Sequence, residues 1–363
     1  MKINLVMIVK NEEHSLERCL NAARPLVDEM ILTDTGSTDG TVEIAKRMGA
    51  RVKEFAWVND FSAARNFALE QSDADWNLVL DADEYIKKGD RIQLEQVLCS
   101  RKGMWLGTIT RYDSYPDEGG VSVAYSVLPR LLPKGVRYYG TIHEQPEGSY
   151  PCYPVLLEAD HDGYLAADKG ERNLAYLQQA VKEHPEDGYY QFQMASTLRN
   201  LRRLEESLPY FRRFYRISPR SAAYRTGGVV LYLYTLLDLG TTDKLDEAAQ
   251  VVEKEEKNLR NWPDFCFVCG LFYMDRVLSD VRRYIYLLPQ VEACYKRCLA
   301  LGEYPEHGGV AGTGSFKAAY NLGICCEVSG RREMAIKYYK MAAREGYEVA
   351  VKRLEQMKQE NKG

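Results

Sequence analysis

The chain has 363 residues, more than one ordinary hydrophobic core accommodates, so two domains are expected. Its net charge of −4 disfavours a nucleic-acid reader driven by phosphate contacts, and no apolar run approaches the ~20 residues needed to span a bilayer. The nine cysteines, an odd number scattered through helical patterns, read as the reduced thiols of a cytoplasmic protein; Met1-Lys2-Ile3-Asn4 also lacks a signal-peptide layout.

The first part of the chain alternates strand and helix. Ile3–Val9 is an apolar strand, and Glu12–Ala23 has apolar residues at helical spacing, with Pro25 as a stop. Met30–Thr33 is a second strand, after which Thr38 or Asp39 caps a second helix. Arg51–Trp57, Phe61–Gln71 and Trp76–Leu80 follow as strand, helix and strand. This order implies an α/β domain with a doubly wound, mostly parallel sheet. Between 105 and 132 two β-rich runs flank a turn at Tyr115–Gly120. The first domain is expected to close near Gly163–Asp168, giving domains of 1–165 and 170–363.

The second part is helical and repetitive. Pro185 and Pro219 lie 34 residues apart, the period of tetratricopeptide repeats, with Ala195, Ser207 and Phe211 between them. Ala319–Gly323 followed by Ala335, Tyr339 and Ala342 is the clearest unit. Ala293, Arg297, Ala300 and Pro305 suggest another, with Arg297 in place of the usual aromatic, and Pro263 marks a further boundary. An all-α array of about four degenerate units is expected, in which small residues let paired helices approach closely. The charged tail, Lys352–Gly363, is expected to fray.

The most informative feature is Asp81-Ala82-Asp83-Glu84, directly after the apolar run Trp76–Leu80. Ligands of open α/β sheets bind outside the carboxyl ends of the strands. On an extended chain Asp81 and Asp83 point the same way, and a divalent cation fits there together with substrate phosphates. Asp34–Thr41 reads either as a ligand loop, with Gly36 permitting close approach, or as a capped helix start. Lys10-Asn11-Glu12-Glu13 reads equally as a ligand position or a polar loop. Arg65 could neutralise a diphosphate, although a surface ion pair is slightly favoured on that segment alone.

Taken together, Met7–Glu13, Asp34–Thr41, Ala64-Arg65-Asn66 and Leu80–Glu84 resemble a family 2 glycosyltransferase of the GT-A fold, in the family's order and spacing. The resemblance implies that Asp34 and Arg65, with Lys10 and Glu12 nearby, help hold a nucleotide sugar. It further implies that Asp81-Ala82-Asp83 is the family's DXD motif, binding ribose, diphosphate and Mn²⁺ or Mg²⁺. Thr35 stands where many members carry a second Asp. The transfer needs a general base, and Gly140–Gln145 is similar to a segment of the branch that carries tetratricopeptide repeats. Glu144 is the expected base and His143 its rival. His161 fits either a late metal or diphosphate ligand of the family or a packed histidine at a domain junction.

That branch includes bacteriocin peptide S-glycosyltransferases, so the expected activity is metal-dependent, inverting transfer from a UDP-sugar to a peptide or protein thiol or hydroxyl. A lipopolysaccharide-core or other glycan acceptor is the alternative, and a scaffold with an inactive first domain a third reading. A nucleotidyltransferase would need a basic glycine-rich loop where Lys10–Glu13 stands. The repeats are expected to bind the acceptor or a second copy of the chain. Cys266, Cys269, Cys294 and Cys298 superficially suggest zinc, but they fall in amphipathic helices where cysteine serves as a small core residue. Arg199, Arg202, Arg203, Arg212, Arg213 and Arg216 are read as a solvated face offset by Glu205 and Glu206.

Overall fold

The computed structural model describes residues 1–117, 120–162 and 169–360. The expected domain closure at Gly163–Asp168 and two residues of the expected turn, Glu118 and Gly119, lie outside them. The chain divides into two compact units, one built mainly from Met1–Tyr115 and Val123–Glu183, the other mainly from His184–Pro305 and Gly309–Gly363.

In chain order the first unit contains β1 (Ile3–Val9), α1 (Leu16–Ala23), β2 (Glu29–Asp34), α2 (Thr41–Arg47), β3 (Arg51–Glu54), α3 (Phe61–Glu70) and β4 (Trp76–Val79). Then come β5 (Glu84–Lys88), α4 (Arg91–Cys99), β6 (Leu106–Asp117), β7 (Gly120–Pro133), β8 (Tyr138–Tyr139), β9 (Gln145–Pro146), β10 (Cys152–His161) and α5 (Lys169–Glu183). The sheet runs β3-β2-β1-β4-β7-β6-β10-β5. Its first four strands are mutually parallel, as the alternating pattern implies, and β7 adds to β4 antiparallel. Ile3, Leu5 and Met7 are fully buried from one face of β1 and Val6 is buried from the other, which is why this strand is apolar throughout.

Five elements of this unit were not legible in the sequence: β5, α4, β8, β9 and β10. β10 pairs parallel to β6 and antiparallel to β5, and its register sets His161 opposite both Glu84 and Asp113. Pro25 does not follow α1 directly as a stop but sits inside a 3₁₀ turn, Arg24–Leu26, that continues it. The compact division also places α5 in the first unit, where the boundary at 165 puts it with the repeats. Tyr176 of α5 donates to Asn59 Oδ1 at 3.1 Å, and its ring meets Phe61 edge-on at 6.3 Å.

The second unit is all-helical. Its pairs are α6 (Gly188–Asn200) with α7 (Leu204–Ile217), α8 (Arg225–Leu239) with α9 (Thr242–Leu259), and α10 (Pro263–Ser279) with α12 (Leu288–Leu301), the last interrupted by the short α11 (Val281–Tyr284). α13 (Phe316–Val328) pairs with α14 (Arg332–Arg344), and α15 (Glu348–Glu360) follows. These four pairs match the expected tetratricopeptide-like array. Close approach is visible at Gly270, where a Cβ would stand 2.7 Å from the Tyr295 ring, and at Gly323 beneath Tyr339.

Two expectations fail here. The buried positions of α12 are Val291, Tyr295 and Cys298, whereas Ala293, Arg297 and Ala300 are exposed; Tyr295 is the aromatic thought to be missing, two residues before Arg297. The tail, as far as Glu360, is helical rather than frayed, because Ala350 and Met357 are buried and Arg353 pairs with Glu327. Among the described residues no helix is long and apolar enough to cross a membrane.

Candidate active site

The carboxyl ends of β1, β2 and β4 lie side by side, since Val9 is in register with Asp34 and Val6 with Val79. Loops leaving β1 and β2 are latched to each other. Asn11, at φ 55°, donates its N–H to Ser37 Oγ and accepts from the Thr38 N–H at 2.8 Å; Glu13 accepts from the Gly40 N–H at 2.9 Å. Asp34 is buried and accepts from the N–H groups of Gly36 and Ser37 in its own loop, where Gly36 takes φ +103°. Asp39 accepts from the N–H and hydroxyl of Thr41, but the N-cap of α2 is Gly40, one residue beyond Asp39 and two beyond Thr38, the expected caps. Glu12 accepts from Ser15 Oγ at 2.7 Å, and Lys10 is exposed. These residues shape the rim of the site.

The charged cluster of the site is built by α3. Asp60 caps the helix by accepting from the Ala63 N–H. One turn on, Asn66 grips the Tyr138 backbone on both sides, donating to its carbonyl at 2.9 Å and accepting from its N–H at 2.7 Å. This grip carries the following segment, including Glu144, back to Arg65. Arg65 Nε donates to Glu144 Oε1 at 2.5 Å and Nη2 to Asp81 Oδ1 at 2.6 Å. The expected surface ion pair is therefore corrected: the Arg65 side chain is 6% exposed and bridges two carboxylates inside the domain.

A turn closed by the Glu84 N–H on the Asp81 carbonyl separates the two aspartates. Asp81 and Asp83 are thus not on an extended chain facing one way. Asp81 Oδ2 accepts from Arg130 Nη2 at 2.7 Å, so guanidinium groups hold both of its oxygens. Its loss of hydration raises its pKa, but Arg65 and Arg130 prevail and hold the carboxyl well below the usual range. Asp83 Oδ2 instead lies 3.6 Å from His161 Nε2. His161 Nδ1 is 2.8 Å from Asp113 Oδ1, and Asp113 in turn accepts from Ser126 Oγ. Burial opposes the charged imidazole but is outweighed by the hydrogen bonds to Asp113 and Asp83, which push its pKa up to about 9.

Glu84, fully buried, accepts from Arg111 at 2.8 Å and Arg130 at 2.5 Å. The sequence reading quoted Glu84 without a role and missed Arg111, Asp113, Ser126, Arg130 and Tyr138. A signal was present: Arg111 and Asp113 lie two residues apart and Ser126 and Arg130 four apart, so each pair shares one strand face. His143 takes φ 49°, its Nε2 is buried without a hydrogen-bond partner, and burial lowers its pKa. Arg65 Nη1, Arg130 Nε and the Tyr138 hydroxyl are likewise buried and unpartnered.

Among the described residues no three His, Cys, Asp or Glu side chains converge as metal ligands, in this cluster or at the four cysteines of α10 and α12. Those cysteines are free and mostly buried. The basic cluster of α6 and α7 is offset partly as expected, Arg203 pairing with Glu206, and otherwise by other acids: Arg199 pairs with Asp238, Arg212 with Glu247, and Arg213 with Glu186.

Residues 5–146 match the sequence family described as Glycosyl transferase family 2. A TPR repeat-containing protein of Synechococcus elongatus is 33% identical over 207 residues, which cover 52% of this chain and 50% of that protein. The SPbeta prophage-derived glycosyltransferase SunS of Bacillus subtilis is 28% identical over 220 residues, covering 57% and 51%. The chain thus spans about half the length of these curated relatives. Among solved structures, glucosyl-3-phosphoglycerate synthase from Mycobacterium tuberculosis, in complex with Mn²⁺, UDP and glucosyl-3-phosphoglycerate, is 26% identical, with a TM-score of 0.26; the overlap covers 30% of this chain and 44% of that one.

Proposed function

We propose that this chain, whose residues 5–146 form a glycosyl transferase family 2 domain, moves a sugar with inversion from a UDP-sugar to a thiol or hydroxyl of a peptide or protein. The observation that carries the reading is the convergence of Asp83 and His161 within 3.6 Å, beside the Asp81–Arg65–Glu144 bridge. One carboxylate and one imidazole, with their remaining bonds already oriented, suit a divalent cation that completes its shell with diphosphate oxygens. Asp83 and His161 would hold Mn²⁺ or Mg²⁺, which when bound stabilises the charge of a departing diphosphate. Asp81, its oxygens committed to arginines, serves to fix Arg65 and Arg130.

The chemistry is a single displacement. The acceptor sulfur or oxygen bonds to the anomeric carbon, the bond from that carbon to the diphosphate oxygen breaks, and UDP leaves with the electron pair. The acceptor proton passes to Glu144, whose Oε1 is anchored by Arg65 while Oε2 has no protein partner among the described residues. His143 is a second reading for the base, favoured by its unpartnered Nε2 and by a burial that lowers its pKa and disfavours the charged ring. Lys10, Glu12 and Asp34 form the rim on the nucleotide side. The helical repeats are the part suited to a peptide acceptor.

The test is nucleotide release from a panel of nucleotide sugars with Mn²⁺, with and without a cysteine- or serine-bearing peptide. Alongside it, thermal stabilisation by UDP plus Mn²⁺ is compared in the parent chain and in Asp83→Asn and His161→Ala. Stabilisation confined to the parent supports the metal pair, and equal stabilisation in all three refutes it. Release stimulated only by a glycan moves the acceptor to that class.

A further inference from the structure

The second unit contains a groove between α9 and α10, none of whose residues takes part in the transfer step described above. Its cavity volume is about 320 Å³. Its cause is local: α11 and the turn Ile285–Leu287 intervene between α10 and α12, and Tyr284, Tyr286 and Leu287 of that insert line the opening. The floor is apolar, with Val252 and Phe272 both buried.

Charge and exposure single out an occupant. Glu253 and Glu256 line the α9 wall three residues apart, on one helical face, and neither has an ion pair among the described residues. The lining cation is Arg276, and its charge is already answered by Asp246 at 2.5 Å; its guanidinium also lies 4.6 Å from the Tyr284 ring. The uncommitted charges of the groove are therefore negative. Tyr286 remains 65% exposed, and Val281 and Ile285 of the same insert and Leu278 in the last turn of α10 are exposed apolar residues.

We propose that this groove binds an extended peptide presenting a lysine or arginine side chain flanked by aliphatic ones. The cation meets Glu253 and Glu256 and packs on the Tyr286 ring, and the flanking residues cover these exposed apolar side chains. A groove of this volume takes one long basic side chain and part of a neighbour.

The experiment measures fluorescence anisotropy of a labelled Ala-Leu-Lys-Leu-Ala peptide titrated with the full chain, and of the same peptide with glutamate replacing lysine. Only the lysine peptide should bind, with affinity falling as salt rises. Glu253→Gln combined with Glu256→Gln should weaken binding roughly tenfold, as expected for two exposed ion pairs. Tyr286→Ala should weaken it about threefold. All three sites are at the surface, so the melting temperature should not move. Equal binding of the glutamate peptide, or unchanged affinity in either variant, overturns the proposal. So does a dimer that Tyr286→Ala disperses with no peptide binding in the monomer, since a second copy then fills the groove. The readout is binding alone, so it is independent of whether sugar transfer is found.

Discussion

Arg130→Met tests the charge network most directly. Arg130 donates to Asp81 at 2.7 Å and to Glu84 at 2.5 Å, and Glu84 is fully buried. The substitution keeps most of the aliphatic volume but leaves Arg111 as the ion-pair partner of Glu84, which also accepts from the Asp81 N–H, and Arg65 as that of Asp81. Removing one partner of a buried ion pair costs about 3–5 kcal/mol, because the other charge stays buried. Arg111 remains on Glu84, so the lower figure of about 3 kcal/mol applies. For a domain of roughly 150–250 residues each kcal/mol moves Tm by about 2–4 °C, so a fall of about 6–12 °C is expected. The assay is thermal unfolding followed by tryptophan emission, since the Trp76 and Trp105 rings sit 4.8 Å apart in the core of the first unit. Adding Glu84→Gln should restore a good part of the loss, because the uncompensated charge is gone. A shift below about 2 °C, or a double variant no better than the single one, would refute the view that these charges are mutually dependent.

Glu144→Gln keeps the size of the side chain but removes the proton acceptor, and should lower kcat by about 10²–10⁴-fold with little change in donor KM; rates within threefold of the parent point to His143. Gly323→Ala forces a methyl into the Tyr339 ring and should cost about 1–3 kcal/mol in a circular-dichroism melt. Gly227→Ala, on the exposed face of α8 with nothing within 4 Å, should instead stabilise by up to about 1 kcal/mol. Burial pushes the Asp264 carboxyl up to about 7, so the folded state holds its proton more tightly than the unfolded chain. Its stabilising contribution is complete below about pH 4 and is lost as pH rises through 7, so Asp264→Asn should flatten the pH dependence of the second unit's Tm between those limits.

How far the sequence could be read depended on range. β1 to β4 and their helices were legible because each is encoded by a run of adjacent residues with a clear period and a capping or breaking signal. Four helix pairs followed from the 34-residue spacing and the small residues, although the insert in the third pair shifted the reading of α12 by two residues. β10 was opaque because its apolar and polar residues do not alternate cleanly: Val155 and Leu157 are buried, Leu156 is exposed at φ 59°, and the register shifts between Pro154 and Glu158.

The candidate site divides along the same line. Asp34, Asp81 and Asp83 stood out at strand ends, where charge interrupts an apolar run abruptly, whereas Arg65, Glu144 and His161 were singled out chiefly by the family resemblance. Their partners were not. Tertiary structure decided that Arg65 is buried between Asp81 and Glu144, that a turn sends Asp83 to His161, and that Arg130 ties Asp81 to Glu84. The first depends on the Asn66 grip across 72 positions of sequence, and the other two on strand register. A sequence fixes which side chains carry charge; which charges meet is set by the pairing of strands far apart in the chain.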